Sequence, residues 1–284
     1  MLALFFSHGV SATPKSMLES YQKRIVAAGY TTNHSLAELE ARETLVHGIY
    51  RVVVKRSGAF LGYFTENGEI TGDVNGWEDV HGKSISQDDL AFLRLALVQN
   101  IRYDRLVKVQ YGNGGGRKMF LASALDCGYC GAMEKNLALH SKNFNTTFYI
   151  LPSALDSRPN RSAKSEALWK AAADIYCSEN PAESWKKFWV NRTVTGIRRQ
   201  DCNVNSHMLV EEERFLKELL ASVGIKVNGT PRIVREDSIP FTPPATSDLS
   251  TLKKLYGEEG LKDIDAIMLQ RVRTRFFEPY DGRY

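Results

Sequence analysis

The sequence predicts an α/β protein, α+β overall, with a core divided by a helical insertion and a small antiparallel β domain in front of it. Three observations carry this. Cys127 and Cys130 lie where an apolar run, Lys118-Met119-Phe120-Leu121-Ala122, gives way to a helical pattern over residues 130–139. About a hundred residues later a Thr230-Pro231 step opens the short β-branched run Arg232-Ile233-Val234. Between residues 49 and 74, short β-rich segments are separated by glycine turns.

The elements follow in order. Residues 1–13 begin with apolar Met1-Leu2-Ala3-Leu4-Phe5-Phe6, and Val10-Ser11-Ala12 has the small-residue pattern of a cleavage site, so the stretch reads as a signal remnant. Residues 14–28 predict an amphipathic helix with Met17, Leu18, Tyr21, Ile25 and Ala28 on one face. Strands are expected over 49–54 and 59–65, and Glu66-Asn67-Gly68-Glu69 is a hairpin turn into 70–74. Residues 14–85 thus form an expected N-terminal α+β domain. Ser86 caps a helix with Asp88 and Asp89 in its first turn and Leu90, Phe92, Leu93, Leu95, Ala96 and Leu97 as its apolar set; over residues 86–104 this reads as a linker helix or an ordinary core helix, which periodicity does not separate.

The second domain is expected over 105–259. Strands are predicted at 106–111, 118–122 and 146–152, the last closed by Pro152. The glycine run at 112–116 lacks a Gly-Lys-Ser/Thr ending and precedes a strand, which excludes a phosphate loop. Helices at 165–178, 183–190 and 208–223 make up an insertion spanning about 153–223, with Trp169, Trp185, Phe188 and Trp189 as core anchors and Glu211, Glu212 and Glu213 at the start of the third. After the Thr230-Pro231 strand come Ile239-Pro240-Phe241 and a last helix over 248–257. Residues 260–284 form an extension with a further helical pattern in Ile264, Ile267, Met268 and Phe276.

Composition bounds the chemistry. At 284 residues, with 43% hydrophobic and 25% charged, the chain has material for one large or two smaller cores. A net charge of +4, with basic and acidic residues interspersed, gives no support to nucleic-acid binding. The one basic cluster, Arg271-Val272-Arg273-Thr274-Arg275, reads as a solvated helix face. No stretch is long and apolar enough to span a bilayer.

The Cys127-Gly128-Tyr129-Cys130 spacing lets one thiol attack a disulfide and the other resolve the product. A helix N-terminus at Cys127 offers free N–H groups and partial positive charge, both of which favour the thiolate. A zinc site needs four ligands, and Cys177 and Cys202 are not spaced as a second knuckle, so no metal and no cofactor is expected. An inert buried pair is the competing reading; glycine and tyrosine between the thiols make poor core filler.

Asp126-Cys127-Gly128-Tyr129-Cys130, Val227-Asn228-Gly229-Thr230-Pro231 and the helical stretch between them resemble the bacterial DsbC/DsbG-type thiol:disulfide isomerases of the thioredoxin superfamily. Gly131 departs from the pattern, since a longer side chain is common there, and so does the apolar approach Ala122-Ser123-Ala124-Leu125. The resemblance implies a thioredoxin-like fold, Cys127 and Cys130 as the catalytic pair, and Gly128, Tyr129, Thr230 and Pro231 beside the substrate backbone. It implies a second, structural disulfide within the insertion, where Cys177 and Cys202 lie; two unpaired buried thiols is the alternative. It further implies periplasmic location and cysteine-containing unfolded or misfolded proteins as clients. A membrane thiol reductase would be the electron donor. The layout of the N-terminal strands is similar to the dimerisation domain of those proteins, which implies a homodimer through residues 40–85. Two other readings stand beside this one: a dedicated redox factor of a secretion or conjugation apparatus, and a non-enzymatic thioredoxin-like chaperone.

Overall fold

The computed structural model describes residues 13–256 apart from 32, 74, 113–115 and 245. The cleavage-site pattern at Val10-Ser11-Ala12, the basic cluster at Arg271, Arg273 and Arg275 and the extension over 260–284 lie outside the described residues.

Thr13 caps the first helix, α1 (Pro14–Ala27), with its hydroxyl accepting from Ser16 N–H. Met17 and Leu18 are buried, and Tyr21 packs edge-on to Phe64 at 4.7 Å. The N-terminal sheet has five strands, β1 (Leu39–Glu43), β2 (Ile49–Val54), β3 (Phe60–Thr65), β4 (Ile70–Asp73) and β5 (Gly76–Asp79), in sequential antiparallel order. Three strand segments are legible in the sequence. β1 is not, because Leu-Glu-Ala-Arg-Glu has low strand propensity and is held by pairing with β2. Gly68 in the β3–β4 turn has φ +69°, and a Cβ there would come 2.6 Å from the Tyr21 backbone, so α1 can cross the turn only over glycine.

Alternation along β2 and β3 divides the sheet into two buried faces. Tyr50, Val52 and Phe64 pack with Met17 and Leu18 of α1, while Ile49, Tyr63, Ile70 and Trp77 join the main core. The next helix, α2 (Gln87–Gln99), has the expected Ser86 cap and Asp88 and Asp89 in its first turn. Expected as a linker, it buries Leu93, Ala96, Leu97 and Val98 in the main core, so it is a core helix as well as a connection.

A second sheet contains β6 (Val107–Tyr111), β7 (Arg117–Ala124), β8 (Thr146–Ser153), β9 (Arg232–Arg235) and β10 (Pro240–Phe241), ordered β10-β9-β7-β8-β6. β7 and β8 are parallel and joined by α3 (Gly128–Leu139); the other pairings are antiparallel. A βαβ unit followed, after an insertion, by an antiparallel pair added beside its first strand is a thioredoxin-like fold. The insertion is α4 (Ala163–Tyr176), α5 (Pro181–Asn191) and α6 (Ser206–Ser222). Capped by Asn205, α6 starts at Ser206, two residues earlier than the sequence reading starts it, so Glu211–Glu213 fall in its second turn and not at its N-terminus. Trp169 and Trp185 are fully buried between the helices and the sheet. The last described helix, α7 (Leu249–Tyr256), places Tyr256 against Phe144, Phe148 and Phe241.

The two sheets share one core through α6. Tyr63 Oη donates to the Phe215 carbonyl at 3.3 Å, the Arg51 guanidinium lies 3.7 Å from the Phe215 ring centroid, and Trp77 Nε1 donates to Ser222 Oγ at 2.9 Å.

Candidate redox site at the start of helix α3

β7 delivers Cys127 to the end of the sheet. Leu125 N–H donates to the Ser153 carbonyl and Asp126 Oδ1 accepts from Leu155 N–H at 2.9 Å, which fixes the approach to the helix against the end of β8. Cys127 is the N-cap residue of α3, and its Sγ accepts from Cys130 N–H at 3.1 Å. A cap position normally holds a serine, threonine, aspartate or asparagine oxygen, so a sulfur here receives hydrogen bonding and helix-end charge that suit a thiolate.

Cys127 and Cys130 are joined as a disulfide with Cα atoms 5.2 Å apart. Cys127 is 5% exposed and Cys130 is sealed at 0%. Tyr129 stands 73% exposed between them, and the position of a Gly128 side chain would be open space. The pair therefore presents one edge to solvent, at Cys127.

The Thr230-Pro231 peptide bond is cis and sits across from this edge, with the Thr230 carbonyl oxygen 3.2 Å from Cys127 Sγ. Among the described residues the Thr230 hydroxyl is buried with no hydrogen-bond partner. A cavity of about 270 Å³ opens between the first turns of α3 and the Thr230-Pro231 segment, lined by Tyr129, Met133, Asn136, Thr230, Pro231, Pro243 and others. The structure thus brings together Cys127, Gly128, Tyr129, Cys130, Thr230 and Pro231. Cys177 and Cys202 lie apart from them, joined as a disulfide with Cα atoms 5.5 Å apart, where Cys177 ends α4 and Cys202 lies between α5 and α6.

Two neighbours escaped the sequence reading. Glu134, one turn beyond Cys130, is fully buried; burial pushes its carboxyl up to about 7, against the hydrogen bonds it accepts from Trp185 Nε1 at 3.0 Å and Tyr111 Oη at 3.3 Å. An acid in a helical run reads as a surface residue, and nothing local marks it as buried. Arg192, at the end of α5, donates from Nη1 to the Leu125 carbonyl at 3.3 Å. Its one trace in the sequence is Gly131. Trp189, expected only as a core anchor, packs beside Gly131 as well.

Fold and site together define a thioredoxin-like chain with a dithiol/disulfide pair at a helix N-terminus. Among solved structures, 55% of the chain is similar to a disulfide interchange protein from Neisseria gonorrhoeae, at 17% identity over 99% of that chain with a TM-score of 0.39. The catalytic domain of Proteus mirabilis ScsC matches 64% of the chain at 15% identity, over 98% of its own length, with a TM-score of 0.41. Helicobacter pylori DsbG matches 75% at 12% identity, over 100% of its length, with a TM-score of 0.33. No protein-family model and no curated protein sequence matches the chain.

Proposed function

We propose that the protein is a thiol:disulfide oxidoreductase that isomerises or reduces disulfides of exported proteins. The observation that carries this is Cys127 itself: a sulfur at the N-cap of α3, accepting the Cys130 N–H and facing the Thr230 carbonyl. The reduced Cys127 thiolate attacks one sulfur of a client disulfide, forming a mixed disulfide and releasing the other client sulfur as a thiolate. Isomerisation follows when a client thiolate attacks the mixed disulfide, forming a new client bond and returning Cys127 as thiolate. Reduction follows when the Cys130 thiolate displaces the client, leaving Cys127–Cys130 oxidised and the client with two more electrons. Thr230 and Pro231 support client binding through the backbone, a mode that tolerates varied sequences. Gly128 leaves room for it and Tyr129 borders it.

The setting proposed with this chemistry is the periplasm, where Cys177–Cys202 would persist as a structural disulfide. A membrane thiol reductase would return two electrons to Cys127–Cys130. Homodimerisation through residues 40–85 is part of the proposal and would have to use an edge of the N-terminal sheet, since α1 and α6 cover its faces. Edge strand β1 carries Glu40, Arg42 and Glu43, charges that discourage indiscriminate pairing.

The test is a redox titration in glutathione buffers with differential alkylation of all four cysteines. Reversible titration of Cys127 and Cys130 at a potential more oxidising than roughly −200 mV, with Cys177 and Cys202 still bridged, supports the proposal. Resistance of both pairs to reduction would turn the reading to a non-enzymatic chaperone. A monomer by light scattering, with full isomerase activity, would remove the dimer from it.

A further inference from the structure

Gly131 follows the second cysteine, and the space its side chain would fill belongs to Arg192 and Trp189. A Cβ at residue 131 would come 2.9 Å from Arg192 Nη2 and 3.2 Å from the Trp189 ring. Arg192 ends α5 in the left-handed region, at φ 58°, which non-glycine residues rarely adopt. From there its guanidinium lies 4.7 Å over the Trp189 ring centroid and 5.8 Å from that of Phe188, while Nη1 donates to the Leu125 carbonyl at 3.3 Å. Leu125 is two residues before Cys127, and Gly131 N–H closes the first turn of α3 on the Cys127 carbonyl at 3.1 Å. One cation therefore touches both the approach to the cysteine pair and the first turn after it.

We infer that Arg192 is a positioning residue for the Cys127–Cys130 pair: it fixes the Leu125–Cys127 approach and adds constant positive charge beside the helix end that stabilises the Cys127 thiolate. The inference rests on the redox reading above. Arginine suits the role because it stays charged throughout the range in which a thiol titrates, and its planar group stacks on an indole while donating at its edge. Gly131 is then the condition for the cation's approach, which gives a physical reason for a small residue after the motif. Nearby acidic groups are accounted for: Asp126 accepts from Leu155 N–H, and Glu134 is held by Trp185 and Tyr111 on the buried side of α3. The effect should be moderate, since Arg192 is an exposed residue and its field is screened by solvent and salt.

The experiment compares wild type, Arg192→Met and Arg192→Lys in two measurements: the pH midpoint of Cys127 thiolate absorbance in the reduced protein, and the equilibrium in which the protein disulfide and two glutathione thiols exchange for the protein dithiol and one glutathione disulfide. Arg192→Met should raise the midpoint by roughly half a pH unit or more and shift the equilibrium severalfold toward the protein disulfide. Arg192→Lys should recover part of the change, and the difference between wild type and Arg192→Met should shrink at about 1 M salt. A purely structural role would show neither the lysine rescue nor the salt dependence. Equal midpoints and equal equilibria in wild type and Arg192→Met would overturn the inference. If Arg192→Met does not fold, Gly131→Ala, which keeps the charge and displaces it, must move both readouts in the same direction; no change would overturn the inference equally. Wild-type protein that exchanges with glutathione at neither cysteine sinks the redox reading itself and is distinguishable from both.

Discussion

The Cys127 sulfur rests 3.2 Å from the Thr230 carbonyl oxygen, across 103 residues of chain. In the proposed reaction a client cysteine reaching Cys127 would pass beside the Thr230-Pro231 segment, which places the proposed backbone recognition next to the sulfur. Cys127→Ser should abolish disulfide exchange. Cys130→Ser should leave attack intact but block resolution, so that mixed disulfides with client accumulate in non-reducing gels. Exchange activity retained in Cys127→Ser would contradict this division of labour.

Glu134 should write a pH dependence into stability. Its carboxyl is pushed from the ordinary value of 4.5 up to about 7 by burial, so the folded state binds the proton more tightly than the unfolded one. The stabilisation is fully present below the unfolded value, declines as pH rises from about 4.5, and is lost as pH passes about 7. The total change is on the order of 3 kcal/mol. Melting temperature should fall between pH 5 and 8, and Glu134→Gln should flatten that slope even if it lowers overall stability. An equally steep slope in the variant would show that another group is responsible.

Removing the second disulfide should cost stability without touching the site. Cys177 and Cys202 are separated by 25 residues, and the loop they close corresponds to roughly 3 kcal/mol of denatured-state restriction. A Cys177→Ala, Cys202→Ala variant should unfold at lower urea concentration by about that amount, with glutathione titration of Cys127 and Cys130 unchanged.

Docking of the N-terminal sheet onto the insertion can be tested at one bond. Ser222 Oγ accepts from Trp77 Nε1 and donates to the Leu219 carbonyl in a buried setting. Ser222→Ala leaves the indole N–H without its acceptor, at a cost of about 1–3 kcal/mol. Hydrogen exchange should then rise in β4 and β5 more than in β7 and β8. Uniform exchange throughout would mean that the sheets unfold as one unit with no local weakness at this contact.

Much of this architecture could be read from local pattern. The α2 cap at Ser86, the Asn67-Gly68 turn, the β7 apolar run into Cys127 and the proline opening β9 each depend on residues close together in sequence. The charged strand β1 could not be read this way, because its pairing with β2 decides it. Nor could the register of α6, whose Asn205 cap competes with the later acidic cluster as a start signal.

By itself the sequence determined the Cys-Gly-Tyr-Cys motif, its place between strand and helix, and the Thr230-Pro231 step that opens a later strand, because helix ends, strand periodicity and proline geometry are local physics. Only the tertiary structure decided that α6 carries the N-terminal sheet, that Glu134 is buried with a raised carboxyl pKa, and that Arg192 lies over Gly131. Those depend on which surfaces meet after the chain has folded back over separations of 51 to 152 residues, and on the desolvation that follows. An isolated acid or arginine in a helical run carries no mark of either.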